Sequence, residues 1–96
     1  MAVGMIFSPP KDLFNEETYE KVLEHLGPGF PPDAMSVHLM GHTEDGQVRI
    51  VDVFESAEAF EAFAQSHAPV YEALGISVEQ ILQHAQIFEI GKKITK

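Results

Sequence analysis

The chain contains no cysteine, which excludes disulfides, thiolate metal sites and cysteine nucleophiles at once. Basic residues are scarce. Six Lys and Arg stand against 15 Asp and Glu, giving a formal net charge of −9 at pH 7. Such a surface repels phosphate backbones, so nucleic acid is not expected as a partner. No apolar run approaches the roughly 18 residues that a membrane span requires, so no membrane partner is expected either. Met1-Ala2-Val3-Gly4-Met5-Ile6-Phe7 lacks the basic region of a signal peptide and runs directly towards Pro9-Pro10; the expected location is cytoplasmic. No GxGxxG, P-loop, GxSxG or HExxH pattern occurs, and Gly27-Pro28-Gly29 lacks the lysine and the strand-to-helix context of a phosphate cradle.

What remains is an ordinary globular composition, 45% apolar over 96 residues, which predicts one domain spanning residues 1–96. A chain this short buries only roughly 60–65% of its unfolded surface, so its stability margin is thin and pairing with a second copy is one common remedy. The lysines Lys92, Lys93 and Lys96 read as a solvated C-terminal tail.

Residues 2–8 form a short apolar run that reads as a buried strand. Asn15 can cap a helix whose first turn carries Glu16 and Glu17, and Tyr19, Val22, Leu23 and Leu26 give it one apolar stripe. Gly27 and Pro28 stop it. After the connector to Asp33, the runs Met35–Met40 and Gln47–Phe54 flank Thr43-Glu44-Asp45-Gly46, a hairpin signal. Ser56 caps a second helix with the stripe Phe60, Phe63, Ala64 and His67. Pro69 is expected to bend or restart it before Val70, Tyr71, Leu74 and the stop at Gly75. Ser77–Gln83 reads as a further short helical turn and Gln86–Ile90 as the last strand. The order β-α-β-β-α-β predicts an α+β, ferredoxin-like fold with a four-stranded antiparallel sheet.

Both helices of that fold cover one sheet face. Period-2 reading places Val37, Leu39, Val51 and Val53 under the helices. It leaves His38, Met40, Ile50, Asp52 and Phe54 on the open face, a mixed set suited to a pocket enclosed by a dimer.

The segment Val51-Asp52-Val53-Phe54-Glu55-Ser56-Ala57-Glu58-Ala59-Phe60-Glu61-Ala62-Phe63 resembles a pattern of the dimeric α/β-barrel superfamily: a strand ending in an aromatic, then Glu-Ser, then a helix with Phe-x-x-Phe. Within that group it looks most like the short antibiotic-biosynthesis-monooxygenase-like proteins. The resemblance implies a homodimer whose sheets face each other. It also implies activities that range over cofactor-free oxygenation of phenols and quinols, polyketide cyclisation and haem degradation. The oxygenases and haem degraders of that group usually carry a Trp beside the ligand and commonly an Asn. This chain has no Trp, and its Asn15 is committed as a helix cap.

His38 is the leading candidate base for a phenolic or α-carbonyl proton, with Asp52 on the neighbouring strand to fix its tautomer. His67 and Tyr71 are expected to contact ligand oxygens, and Met40, Ile50 and Phe54 to line the pocket. His38, His42, His67 and His84 match no compact ligand motif, and two strand residues four apart are separated by about 13 Å. No metal and no cofactor is therefore expected; a haem-degrading role ranks third, with His67 as its one plausible axial ligand. The expected function is that of a cofactor-independent monooxygenase or cyclase acting on a small apolar or aromatic substrate. The alternative is a non-catalytic ligand-binding or interaction protein on the same scaffold.

Overall fold

The computed structural model describes residues 1–92 and Ile94. Lys93 and Lys96 of the basic tail lie outside the described residues. Strand β1 (Val3–Phe7) is followed by helix α1 (Glu16–Leu26) and a single 3₁₀ turn (Gly27–Gly29). The hairpin β2 (Met35–His42) and β3 (Val48–Phe54) leads into α2 (Ala57–Ala73), the short α3 (Val78–Gln83) and β4 (Ala85–Glu89). The strands form one antiparallel sheet in the order β2-β3-β1-β4, the ferredoxin-like arrangement. Among the described residues, no helix is long and apolar enough to cross a membrane.

Local chemistry sets the element boundaries. The Asn15 side chain accepts from the Thr18 amide at 3.0 Å and starts α1. Gly27 ends it at φ +73°, a left-handed conformation that a side chain would disfavour. Ser56 accepts from the Ala59 amide at 3.1 Å, and Ser77 forms a reciprocal capping box with Gln80. The hairpin closes through Thr43, whose amide donates to the Gln47 carbonyl and whose carbonyl accepts from Gly46.

Of the bend or restart expected at Pro69, the restart does not occur: α2 is one helix of 17 residues with Pro69 inside it. Pro69 and Gln65 both lie on its solvent side, so the Gln65 carbonyl deprived of its helical partner faces water. Phe60 and Phe63 pack on the core before Pro69, and Val70, Tyr71 and Leu74 pack after it; both halves are anchored to the same sheet.

The face assignment read from the hairpin is inverted. Val48, Ile50, Asp52 and Phe54 are buried beneath the helices, with His38 and Met40 beside them, whereas Leu39 is 59% exposed on the far side. A bulge between Met35 and Val37 turns Ser36 out of the ladder. Met35 can thereby join Val3 and Phe54 in the core while Val37 faces outward. Both faces of this sheet are apolar, so the richer run of valines did not identify the covered one. The polar pair His38 and Asp52 lies inside because its members satisfy each other.

Candidate functional site

The β2–β3 ladder sets His38 directly opposite Asp52. Their side chains rise from the helix-covered face, and Nδ1 of His38 stands 2.5 Å from Oδ1 of Asp52. The apolar stripe of α1 brings Tyr19 down onto the same spot, where its hydroxyl meets Nε2 of His38 at 2.7 Å. The Tyr19 and His38 rings lie nearly parallel, 6° apart, with centroids 5.9 Å from each other. A carboxylate accepts only, so Nδ1–H donates to Asp52 and Nε2 is left to accept from the Tyr19 hydroxyl. The result is a continuous chain, Asp52–His38–Tyr19, in which both imidazole nitrogens are engaged. Asp52 is only 4% exposed, and a carboxylate so buried requires such a partner.

This chain forms one wall of a cavity of about 70 Å³ between the sheet and the helices. Apart from Tyr71, the remaining walls are apolar, including Met5, Val22, Ile50, Phe63 and Ile81. Phe30, carried by the connector after α1, sets its ring edge-on to His38 at 4.9 Å and 6.3 Å from Phe63. Leu82, 45% exposed, marks the rim. An apolar cavity of about 150 Å³ holds benzene, so a single-ring ligand needs side chains such as Phe30 to give way.

Tyr71 adds a second phenol to the cavity wall. Among the described residues its hydroxyl has no hydrogen-bond partner. Burial, followed by the negative charge of Asp52, pushes its pKa up to about 12. Burial also raises the pKa of Tyr19, with the charges of Asp52 and Glu20 adding to the effect. Both phenols are thus neutral donors near neutral pH.

Of the residues expected at the site, His38, Asp52, Ile50 and Tyr71 line the cavity together. Three others do not. Phe54 is fully buried at the end of β3 against Phe60 and Phe63, with ring centroids 5.4 and 5.3 Å away. Met40 packs into the main core along β2. His67 turns back over its own helix; Nδ1 donates to the Phe63 carbonyl at 2.8 Å and the ring stacks on Phe63 at 4.1 Å. Haem does not fit these residues, since the one axial candidate points away from a cavity of about 70 Å³. Among the described residues, no three His, Asp or Glu side chains converge as metal ligands.

Tyr19 lines the cavity and bonds His38, a position that its place in the helix stripe does not reveal. Tyr19 was one member of an apolar stripe, and only its being the single hydroxyl-bearing member set it apart.

No protein-family model matches the sequence, and no curated protein matches it. The fold is similar to that of Rv0793 from Mycobacterium tuberculosis, with a TM-score of 0.55 over 98% of this chain and 97% of that one. At 15% identity the likeness is one of fold.

Proposed function

We propose that this protein is a cofactor-independent enzyme that removes a proton from a small, largely apolar phenol or enolisable carbonyl compound, for oxygenation by O₂ or for cyclisation. The observation that carries this reading is the buried Asp52–His38 pair on the wall of an otherwise apolar cavity. His38 is the proton acceptor. Asp52 holds its tautomer and stabilises the imidazolium that forms. The hydroxyl of Tyr71, without a partner among the described residues, donates to the oxygen of the ligand as negative charge develops there. The apolar walls exclude water and select a flat, uncharged molecule.

For a phenol with a free para position the chemistry closes without an external reductant. Loss of the phenolic proton makes the ring carbon electron-rich enough to bond to one atom of O₂. The O–O bond of the resulting peroxide then breaks with loss of water, leaving a quinone. One oxygen atom enters the product and the other leaves as water, and all four electrons come from the substrate.

The resemblance of the segment from Val51 to Phe63 to the antibiotic-biosynthesis-monooxygenase-like members of the dimeric α/β-barrel superfamily supports the same reading. The open face of the sheet suits pairing with a second copy. Ile6, Val37, Leu39, Val51, Val53 and Phe88 fall on it by register, and none of the strand residues there is acidic in a chain of 15 Asp and Glu. Like-charge repulsion between copies is therefore least at this face. Native mass spectrometry is expected to give a dimer for the wild type and a monomer for Leu39→Glu; a monomeric wild type removes the pairing.

Catalysis is tested by oxygen uptake with a series of one-ring phenols that have a free para position. His38→Gln is expected to bind the phenol that the wild type turns over and to lose about 10²-fold or more in kcat, the size typical of losing a general base. Undiminished turnover removes His38 from the mechanism. Tight binding without turnover by the wild type would instead identify a non-catalytic ligand-binding protein.

A further inference from the structure

We infer that Tyr19, rather than His38, is the group that meets the substrate, and that the proton enters a relay running from substrate to Tyr19 to His38. The inference rests on the proton-abstraction reading above and assigns its contact atom. Neither ring nitrogen of His38 is free to touch a ligand: Nδ1 is held by Asp52 at 2.5 Å and Nε2 by the Tyr19 hydroxyl at 2.7 Å. Phe30 blocks a further approach to the imidazole, its ring lying edge-on at 4.9 Å. The open end of the hydrogen-bonded chain is the Tyr19 oxygen, on a side chain that lines the cavity.

The step balances as a double proton shift. The substrate O–H or C–H bond breaks towards the Tyr19 oxygen while the Tyr19 O–H bond breaks towards Nε2 of His38. Tyr19 ends as it began, a neutral phenol, and the charge pair left behind is the substrate anion and the imidazolium beside the Asp52 carboxylate. Burial keeps Tyr19 protonated before the reaction, so the phenol is loaded as a relay and not consumed as a tyrosinate base.

The geometry also defines the class of substrate. It must present one acidic O–H, or a C–H beside a carbonyl, at the Tyr19 oxygen, and an oxygen for the Tyr71 hydroxyl. The rest of the molecule must be apolar and about one ring in size, since the cavity is only about 70 Å³ before Phe30 moves. A carboxylate or phosphate on the ligand is excluded by the apolar wall and by the charge of Asp52.

The test uses the full chain and 4-nitrophenol, a one-ring phenol whose ionised form is coloured. It is read at a pH where the free probe is mainly neutral. The wild type is expected to bind it as the phenolate. Tyr19→Phe is expected to bind it more weakly than the wild type and in the neutral form, with the phenolate absorbance lost, and His38→Gln to do the same. Ionised probe in Tyr19→Phe together with neutral probe in His38→Gln overturns the relay and leaves His38 as a direct base. Neutral probe in the wild type overturns the relay and the proton-abstraction reading together.

A second measurement does not depend on the Tyr19→Phe fold. The chain has two tyrosines, so fluorotyrosine incorporated into Tyr71→Phe protein labels Tyr19 alone. Its fluorine resonance is expected to shift on saturation with 4-nitrophenol. An unmoved resonance places the ligand away from Tyr19 and overturns the inference.

Discussion

His38 and Asp52 stand opposite each other on the β2–β3 ladder with 2.5 Å between Nδ1 and Oδ1, on the side of the sheet that α1 and α2 cover. That position distinguishes the two faces of the sheet. The covered face holds the polar chain and its cavity within one subunit. The open face carries Leu39, 59% exposed, and no acidic strand residue. Residues of the site therefore need not come from a second copy, even if the subunit is paired.

Asp52→Asn tests the electrostatic reach of the buried carboxylate. Its charge raises the pKa of both Tyr19 and Tyr71, second in each case to burial. The variant keeps the side-chain volume and an acceptor for Nδ1, so both tyrosines are expected to ionise at lower pH than in the wild type. Ultraviolet titration reads this directly, because the chain has no Trp to obscure the tyrosinate signal. A titration curve that does not move would mean that solvent screens Asp52 from both phenols. The stability cost is expected at about 1–3 kcal/mol, the usual consequence of weakening a buried hydrogen bond to a charged group.

Tyr71 predicts how stability falls at alkaline pH. Its pKa is pushed from 10.0 up to about 12 by burial in the folded chain. Above its ordinary value the unfolded chain releases the proton and the folded chain still holds it. The contribution is thus fully present below pH 10 and is lost between pH 10 and pH 12. Its size is about 2–3 kcal/mol for a shift of this order. Urea unfolding across this window is expected to show a steeper loss for the wild type than for Tyr71→Phe, and parallel curves would contradict it.

What could be read from the sequence was whatever its own neighbours decide. Asn15, Ser56 and Ser77 cap helices by bonding amides three residues on, and Gly27 ends α1 by its own φ. These signals need no knowledge of the fold. The choice of sheet face was not local in this sense: Val51 and Val53 on one side and Val48 and Ile50 on the other offer nearly equal apolar content, and the bulge at Ser36 leaves no mark in composition. The pairing of His38 with Asp52 followed from hairpin register. The third member did not, because Tyr19 reaches His38 only through the packing of α1 on the sheet, 19 residues away along the chain. His67 misled for a related reason. Helical spacing placed it on the stripe, but its Nδ1 found the Phe63 carbonyl four residues back.

Phe54 and Phe30 are both aromatic and both near the site, yet truncation should affect them differently. Phe54 is 1% exposed and closes the second core cluster with Val3 and Met35. Phe54→Ala is expected to cost about 3–5 kcal/mol in denaturant unfolding, by lost transfer energy and the cavity left behind. Phe30 is half-buried on a connector and covers the cavity. Phe30→Ala is expected to cost less than half as much and to admit two-ring phenols that the wild type rejects. Equal costs for the two variants would place Phe30 in the structural core instead of over a ligand site.

Gly4 and Phe88 provide a test of the open face by a double-mutant cycle. They are register partners on β1 and β4, and the tip of the Phe88 ring reaches over the glycine, so that a Cβ there would meet Cζ of the ring at 2.6 Å. Gly4→Ala is expected to destabilise by about 1–3 kcal/mol, as overpacking does, tempered by the freedom of a ring that is 41% exposed to swing aside. In a Phe88→Ala background the same substitution should be neutral or stabilising by up to about 1 kcal/mol, since alanine then only restricts the unfolded chain and suits a strand better than glycine. The coupling between the two sites, of about 0.5–3 kcal/mol, is the quantity to measure by urea unfolding of the four proteins. Additive effects would show that Phe88 does not rest on Gly4, and the ring would then be free to reach a partner sheet instead of filling the hollow in its own.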